Sequence, residues 1–198
     1  DLGGLYKVYM ILIRGRIQGE VEDIVSKAQY GFRPAKSTAH AIYIIRRIQD
    51  YAEKTGGAFY MTLLDWEKAF DKVDHEALGQ ALQRMGIDDK IINVLKDGYR
   101  KATFYTEDDF GRSTKKKQSS GIRQGCPLSP YLFVLVMTCI ESDVLHLLST
   151  EAKGSRLADL DFDMVFYADD TIVFNNTQEG IEEILGHIKE CSAKYGLR

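Results

Sequence analysis

The chain has 198 residues, of which 44% are hydrophobic and 28% charged, with a formal net charge of −3. This composition is typical of a globular protein and excludes disordered and fibrous classes. The longest wholly apolar run, 131–137, is shorter than the roughly 20 residues that cross a bilayer, so neither a transmembrane helix nor a membrane partner is predicted.

The first 57 residues predict two helices joined by a loop. Apolar residues recur at near-helical spacing over 5–24. The glycine and proline of 29–34 indicate a loop, after which Ser37 can cap a helix that runs to about Lys54. The pair Gly56-Gly57 is expected to end this helix.

The middle of the chain predicts a strand, two helices and a hairpin. Residues 58–64 are expected to form a buried strand with Asp65 at its carboxyl end. Asp74 should cap a helix through Met85, and Asp88 a second one through about Lys96. Residues 101–122 resemble a strand hairpin with a polar turn.

The last third predicts a buried helix, a second hairpin and a final helix. A loop over 121–130 leads into a helix from Ser129-Pro130 to about Leu148, apolar almost all round at first. Two short strands, 162–167 and 171–174, flank an acidic tip, and an amphipathic helix follows over about 178–195. The order of elements predicts an α+β fold in which helices back an antiparallel sheet.

Charge is unevenly distributed along the chain. Residues 1–47 and 96–123 each hold 8 basic and 4 acidic side chains. Residues 48–95 hold 5 basic and 9 acidic ones, and residues 124–198 hold 5 and 12. A polyanion could lie against the two basic segments. On charge alone, a merely solvated turn at Lys115-Lys116-Lys117 is an equal alternative.

The cysteines and histidines do not suggest a metal site. The cysteines are three in number and contain no CxxC pair, which predicts neither a disulfide framework nor a zinc site and favours a reducing compartment. The four histidines lie far apart, so an HExxH-type helix is excluded. The chain begins without Met and ends abruptly, and we expect it to be a piece of a longer polypeptide without a secretion signal.

Three carboxylates fall where strands end. Asp65 follows an apolar strand, and Asp169 and Asp170 separate two others. A charge buried there is costly unless it is neutralised, and no Lys or Arg lies between Asp159 and this pair. Mg²⁺ suits such oxygen ligands, and two ions about 3.5–4 Å apart can activate a 3′-hydroxyl and stabilise leaving pyrophosphate. Ordinary turn chemistry for the Asp-Asp pair remains open on these residues alone.

Four segments, in order along the chain, resemble the motifs of reverse transcriptases. They are QYGFRPAKST at 29–38, similar to the fingers segment; LDWEKAFDKVDH at 64–75, similar to motif A; GIRQGCPLSPYLF at 121–133, similar to motif B; and FYADD at 166–170, similar to motif C. The RQGCP wording of motif B favours the non-LTR (long interspersed element) retrotransposon branch over group II intron enzymes.

The resemblance implies a polymerase palm, an antiparallel sheet backed by helices, with a partial and mostly helical fingers region. Residues 1–57 would be partial fingers, and 58–198 the palm with a fingers insertion around 75–123. The family's Arg-Pro-Ile-Ser stretch would precede residue 1, and the thumb would follow residue 198, so both are expected to be absent from this chain.

The resemblance also implies a catalytic centre. Asp65, Asp169 and Asp170 would be the catalytic residues and would hold two Mg²⁺ ions, for which Mn²⁺ would be a substitute. Phe70 would exclude ribonucleotides by colliding with the 2′-OH, unless it is simply a core residue. Gln124 would contact the incoming nucleotide.

Three further residues receive roles in the same way. Gly125 would let the backbone approach the nascent base pair, although a loop hinge would also need a glycine. Tyr167 would pack near the primer end or be an ordinary strand aromatic. Arg33 would contact the template backbone or bridge to a carboxylate.

The function implied is an RNA-directed DNA polymerase that adds dNTPs to a primer 3′-hydroxyl. Its partners would be an RNA template, a DNA primer, dNTPs and the rest of a parent polyprotein, including a thumb and an endonuclease. The nucleus is favoured over the cytoplasm. The alternatives are a group II intron-type maturase, a catalytically inactive RNA-binding remnant and a purely structural fragment.

Overall fold

The computed structural model describes residues 3–154 and 160–198. The helices within these residues are α1 Gly4–Ile24, α2 Thr38–Thr55, α3 Ala69–Lys72, α4 His75–Arg84, α5 Asp89–Arg100, α6 Ser129–Leu147, α7 Thr150–Gly154 and α8 Gln178–Lys194. The strands are β1 Tyr60–Leu64, β2 Thr103–Phe104, β3 Glu107–Asp108, β4 Gly111–Arg112, β5 Lys116–Lys117, β6 Met164–Tyr167 and β7 Asp170–Asn175.

A three-stranded antiparallel sheet in the order β1-β7-β6 forms the centre of the fold. Strand β7 therefore pairs on both sides. Leu64 at the end of β1 lies opposite Thr171, and Tyr167 at the end of β6 lies opposite Asp170. The predicted hairpin with an acidic tip is confirmed, and β1 joins it as a third strand.

Residues 28–31, the flanking segment, extend this sheet beyond β6. Gln29 forms a parallel bridge with Phe166. The N–H of Tyr30 donates to the Phe166 carbonyl at 2.8 Å, and the N–H of Phe166 donates to the Ala28 carbonyl at 2.9 Å. A stretch predicted as a loop is thus tied to the sheet at the strand that leads to Asp169.

Helix α6 lies at the centre of the core, as predicted. Every residue from Tyr131 to Glu141 is buried, with α1, α4 and α8 packed around the helix. Pro130 lies in its first turn, where the missing N–H has no helical partner to lose. The predicted α+β arrangement, with helices backing an antiparallel sheet, is confirmed.

Length and hydropathy alone would let α6 cross a membrane, which the apolar run in the sequence did not lead us to expect. The stretch Ser129–Leu147 has a mean hydropathy of 1.4, and 67% of it is buried inside the protein. A core helix has the same composition as a spanning one, because both are surrounded by apolar atoms.

The other face of the sheet is only partly covered. Helix α2 packs against it through a small cluster that includes Ile45, Ile48, Val165 and Phe174. Strand β1 lies beyond this cover, and Leu63 is 67% exposed. The prediction of a buried strand at 58–64 is therefore wrong, because β1 is an edge strand with one face open to solvent.

Helix caps account for the boundaries of the insertion between β1 and α6. Asp74 accepts hydrogen bonds of 2.9 Å from two backbone N–H groups in the first turn of α4, and Asp88 accepts one of 2.7 Å in α5. Both caps confirm the prediction. Ser37 precedes α2 but makes no capping hydrogen bond, and its hydroxyl instead lies 3.3 Å from His40 Nδ1.

Candidate active site

The sheet register brings the three predicted carboxylates to one corner of the fold. Leu64 pairs with Thr171, so Asp65 leaves β1 beside the residue with which β7 begins. That residue is Asp170, and Asp169 precedes it in the hairpin turn. We call Asp65, Asp169 and Asp170 the acidic corner.

The acidic corner is more open to solvent than the sequence suggested. Asp65 and Asp170 are exposed and Asp169 is half-buried. The expectation of a burial cost is therefore wrong for Asp65 and Asp170, since exposed carboxylates keep most of their hydration. A cation there would be recruited from solvent by charge and geometry.

The donor chemistry of the corner fits a hard divalent cation. Carboxylate oxygens are the preferred ligands of Mg²⁺, which retains several waters. Among residues 3–154 and 160–198, no three His, Cys, Asp or Glu side chains are grouped closely enough to hold a metal ion. The exposed carboxylates would therefore have to turn toward a shared ion, which their freedom at the surface allows.

A buried glutamine holds the turn that carries Asp169. The side chain of Gln29 is 1% exposed. Its Oε1 accepts hydrogen bonds from the N–H of Ala168 at 3.1 Å and from the N–H of Gly31 at 2.7 Å. Its Nε2 lies 3.5 Å from the Ala168 carbonyl oxygen. One amide thus links the flanking segment to the residue just before the acidic pair.

Gly31 and Ala168 pack so closely that a side chain larger than hydrogen does not fit at residue 31. Ala168 has a φ of 59°, a left-handed conformation that costs a non-glycine residue roughly 1 kcal/mol or more. A Cβ atom on Gly31 would lie within 2.9 Å of the Ala168 Cα. Gly31 is therefore required by close backbone packing, and the Gln29 amide helps to offset the strain at Ala168.

The first strand is fixed to the same corner by a tryptophan. The buried indole of Trp66, directly after Asp65, donates a 2.9 Å hydrogen bond to Thr171 Oγ1. That hydroxyl in turn lies 3.3 Å from the Asp169 carbonyl oxygen. The backbone on both sides of the acidic corner is thus held by buried polar contacts.

Three of the predicted site residues line one cavity of about 400 Å³, together with Phe32. They are Phe70, Gln124 and Gly125, and we call this cavity the Phe70 pocket. Phe70 stacks on Phe133 with a centroid distance of 4.4 Å and meets Phe32 edge-on at 6.2 Å. The half-buried Phe70 ring is therefore both a core contact and a wall of the pocket.

The loop that forms the opposite wall is shaped for a close approach. Gly125 has a φ of +77°, and an added Cβ would meet no heavy atom within 4 Å. The glycine is thus required by backbone conformation, and the space in front of it is open. Gln124 is exposed and donates a 2.9 Å hydrogen bond from Nε2 to Asp71 Oδ1.

The Phe70 pocket and the acidic corner are neighbours along the flanking segment. Gly31 packs against Ala168 at the acidic turn, and the next residue, Phe32, forms a wall of the pocket. The flanking segment therefore contacts both the acidic turn and the pocket.

Comparison with known proteins assigns the chain to a family. The sequence profile of the reverse transcriptase (RNA-dependent DNA polymerase) family matches residues 4–198. The chain belongs to the reverse transcriptase family. Members of this family generally use divalent metal ions.

Relatives of this reverse transcriptase domain include polyproteins of non-LTR retrotransposons. A 149 kDa protein of transposon TX1 from Xenopus laevis is 28% identical over 96% of this chain. The Pol polyprotein of the type-2 retrotransposable element R2DM from Drosophila melanogaster is 26% identical over 86%. The chain spans only 14% and 16% of the lengths of these two relatives.

The fold is also shared with telomerase. Apo telomerase from Candida tropicalis superposes with a TM-score of 0.71 and 16% identity, over 95% of this chain and 35% of that one. The likeness shows the fold alone, and it agrees with the palm-like α+β fold of reverse transcriptases.

Arg33 forms an ion pair with Glu22 in this reverse transcriptase domain. Its guanidinium binds Glu22 Oε1 at 2.6 and 2.9 Å and donates to the carbonyls of Ser26 and Gln29. Of the two expected roles, the structure shows the carboxylate bridge, and the side chain is only 10% exposed. Tyr167 is half-buried opposite Asp170 at the base of the acidic turn.

The sequence did not single out Gln29, Gly31 or Trp66 as parts of the site. Gln29 and Gly31 belong to the segment that resembles the fingers, and Trp66 follows the motif A aspartate. The only indication in the sequence was that these residues lie within segments that resemble family motifs. Their partners, however, lie more than 100 residues away along the chain.

One buried acid lies outside the site. Glu141 on α6 is 5% exposed and lines a cavity of about 330 Å³ with Ser26, Thr138 and Asp161 among others. Burial raises the pKa of its carboxyl to about 7, with Asp161 adding to the rise and a hydrogen bond involving Ser26 opposing it. Below about pH 7 the folded state therefore favours the neutral form of this carboxyl.

Proposed function

We propose that this reverse transcriptase domain is the polymerase site of a longer non-LTR retrotransposon protein and copies RNA into DNA. The observation that carries the proposal is the register of β1, β7 and β6, which gathers Asp65 and the Asp169-Asp170 turn at one corner of the sheet. An inactive RNA-binding remnant would be expected to lose such groups, and this chain retains all of them.

The acidic corner is proposed to hold two Mg²⁺ ions, with Mn²⁺ as a possible substitute. Asp65, Asp169 and Asp170 would be the ligands, because they are the carboxylates that the sheet brings to one corner. The ions would lower the pKa of the primer hydroxyl and offset the charge that develops on the leaving pyrophosphate. The buried hydrogen bonds of Gln29 and Trp66 would keep the main chain that carries these aspartates in place.

The reaction joins a primer 3′-hydroxyl to the α-phosphate of a dNTP and releases pyrophosphate. The protein's part is mainly alignment and electrostatics, as in other phosphoryl transfers. Phe70 would lie against the sugar and exclude a 2′-OH, and Gln124 would contact the nucleotide. Gly125 would allow the backbone to approach the new base pair, since the space before it is open.

The wider setting of the reaction rests on the relatives. We propose an RNA template and a DNA primer as partners, with Tyr167 near the primer end, and the rest of a parent polyprotein, including a thumb and an endonuclease. We place the activity in the nucleus rather than the cytoplasm. Residues 1–57 as partial fingers and 58–198 as palm remain predictions of the same kind.

Primer extension tests the proposal. The full-length parent protein should extend oligo(dT) on poly(rA) in the presence of Mg²⁺, and the Asp169→Asn variant should lose this activity while keeping its fold by circular dichroism. Asp89→Asn is the matched control, because this exposed aspartate lies in the first turn of α5, outside the acidic corner. Extension that persists in Asp169→Asn would refute the assignment of the corner.

A further inference from the structure

The loop that carries Gln124 and Gly125 contains an arginine that has no part in the proposed reaction. Arg123 lies between β5 and α6, directly before Gln124, and is half-buried. The preceding residue, Ile122, donates a backbone hydrogen bond of 2.6 Å to the Phe70 carbonyl oxygen. Arg123 therefore links the residue that is bonded to Phe70 with the two residues that form the opposite wall of the Phe70 pocket.

The Arg123 guanidinium contacts two aromatic rings from distant parts of the chain. Its Cζ lies 4.8 Å from the ring centroid of Tyr6 on α1 and 5.6 Å from that of Tyr99 on α5. Both distances are within the range of cation–π attraction. Nη2 also donates a 2.6 Å hydrogen bond to the Gly98 carbonyl oxygen. We call Arg123, Tyr6, Tyr99 and the Gly98 carbonyl the Arg123 cluster.

The two tyrosines have further contacts that fix them around the loop. Tyr99 is 5% exposed, and its ring centroid lies 4.6 Å from that of the His75 imidazole. Burial raises the pKa of Tyr99, and a hydrogen bond with the Arg123 backbone opposes this rise, so Tyr99 contacts both the main chain and the side chain of Arg123. The Tyr6 hydroxyl lies 3.8 Å from the Cys126 sulfur in the same loop.

The tip of the loop is exposed beyond this cluster. Gly125 has open space in front of it, and the Gln124 amide bonds to the exposed Asp71 carboxylate. On the other side of the tip, the buried Ser129 hydroxyl donates a 2.7 Å hydrogen bond to the Arg123 carbonyl oxygen. The positions of Gln124 and Gly125 therefore depend on how firmly Arg123 is held.

We propose that Arg123 is a positioning residue for the incoming nucleotide. Through its contacts with Tyr6 and Tyr99, it keeps the loop in the conformation in which Gln124 and Gly125 meet the nucleotide. The inference rests on the proposed polymerase function, because it says how that site is held ready for a dNTP. The guanidinium acts through the loop, since the Arg123 cluster already engages it.

A loop that is held for only part of the time weakens nucleotide binding without slowing the chemical step. The apparent dissociation constant rises by the inverse of the fraction of molecules in which the loop is competent. A saturating nucleotide restores the competent loop, so kcat is retained. The loss of one hydrogen bond from a charged donor corresponds to a factor of about 10 to 150 in this equilibrium.

Steady-state primer extension by the full-length parent protein tests this role. Arg123→Met removes the guanidinium and should raise the KM for the dNTP about 10- to 150-fold, with kcat changed by less than about threefold. The Mg²⁺ concentration that gives half the maximal rate should not change, because Gln29 and Trp66 hold the acidic corner. Arg100→Met is the matched control, since this exposed arginine on α5 pairs with Asp97 at the surface. It should leave KM and kcat unchanged.

Two substitutions of Tyr6 separate positioning from charge. Tyr6→Leu removes one ring and leaves the Arg123 charge in place, and it should raise the KM for the dNTP about 2- to 30-fold, the loss of one cation–π contact. Tyr6→Phe keeps the ring and should behave as the unaltered protein does. Because Tyr6 is only half-buried, Tyr6→Leu tests the role even where Arg123→Met does not fold, and urea unfolding followed by Trp66 fluorescence identifies the folded variants.

The outcomes divide clearly. An unchanged KM in folded Arg123→Met or Tyr6→Leu would overturn the inference, and so would an equal rise of KM in Tyr6→Leu and Tyr6→Phe. A loss of kcat at constant KM in Arg123→Met would place the residue in the chemical step and overturn it too. If the unaltered protein extends no primer, the proposed polymerase function fails instead, so the two failures are distinguishable.

Discussion

Replacing Gln29 with leucine tests how strongly the acidic turn depends on the flanking segment. Leucine has a similar volume but removes the oxygen that accepts from the N–H groups of Gly31 and Ala168. Each buried donor left without an acceptor costs about 1–3 kcal/mol, so the free energy of unfolding should fall by about 2–6 kcal/mol. Because a folded domain is stable by only about 5–15 kcal/mol, this is a large share of its stability.

Urea unfolding followed by the fluorescence of Trp66 measures this loss. Trp66 is the single tryptophan of the chain and is buried at the acidic corner. With a slope of about 2 kcal/mol per molar urea, the midpoint should fall by about 1–3 M. Gln83→Leu, on the exposed face of α4, is the control and should change stability by no more than about 0.5 kcal/mol. An equal midpoint shift in the two variants would refute the reasoning.

Three other predictions concern single contacts. Phe70→Val should raise ribonucleotide incorporation relative to dNTPs about 10- to 100-fold in primer extension, because a smaller side chain leaves room for the 2′-OH. Gly31→Ala should destabilise the fold by about 1–3 kcal/mol in urea unfolding, because its Cβ would press on the backbone of Ala168. Glu141→Gln should remove a pH-dependent loss of stability. The pKa of Glu141 is raised from its model-peptide value of 4.5 to about 7. Its contribution to the free energy of unfolding is therefore complete below pH 4.5. Up to about 3 kcal/mol of that free energy is lost as the pH rises through 7.

Each of these has a contrasting result. Phe110→Val, at a fully exposed ring in the insertion, should leave sugar selection unchanged, and an equal effect of the two substitutions would remove Phe70 from the selection of sugars. Unfolding curves of Glu141→Gln and of the surface control Glu182→Gln should diverge between pH 5 and pH 8, and parallel curves would mean that burial does not hold Glu141 neutral. A stable Gly31→Ala variant would show that the flanking segment can move away from the acidic turn.

Much of the fold followed from local sequence patterns. Apolar periodicity and caps such as Asp74 and Asp88 predicted the long helices to within a few residues, because a cap is a local hydrogen bond. The short helices Ala69–Lys72 and Thr150–Gly154 were not predicted, since one turn carries no periodic pattern. The exposure of β1 was also missed, because an apolar run does not reveal whether a strand is at the edge of a sheet.

The candidate site was predicted unevenly. Resemblance supplied Phe70, Gln124 and Gly125, and the structure brings them into one cavity. The sequence alone did not indicate which partner Arg33 binds. Its ion pair with Glu22 depends on how the chain folds back after α1. The hydrogen bond between Gln29 and Ala168 joins residues 139 positions apart, which no local pattern indicates.

The parallel bridge between Gln29 and Phe166 has a consequence for chimeras built from related elements. A chimera joined at residue 57 would pair the flanking segment of one parent with the acidic turn of another, and the close contact of Gly31 with Ala168 tolerates little mismatch. Exchanging 28–31 and 166–170 together would keep matched surfaces in one molecule.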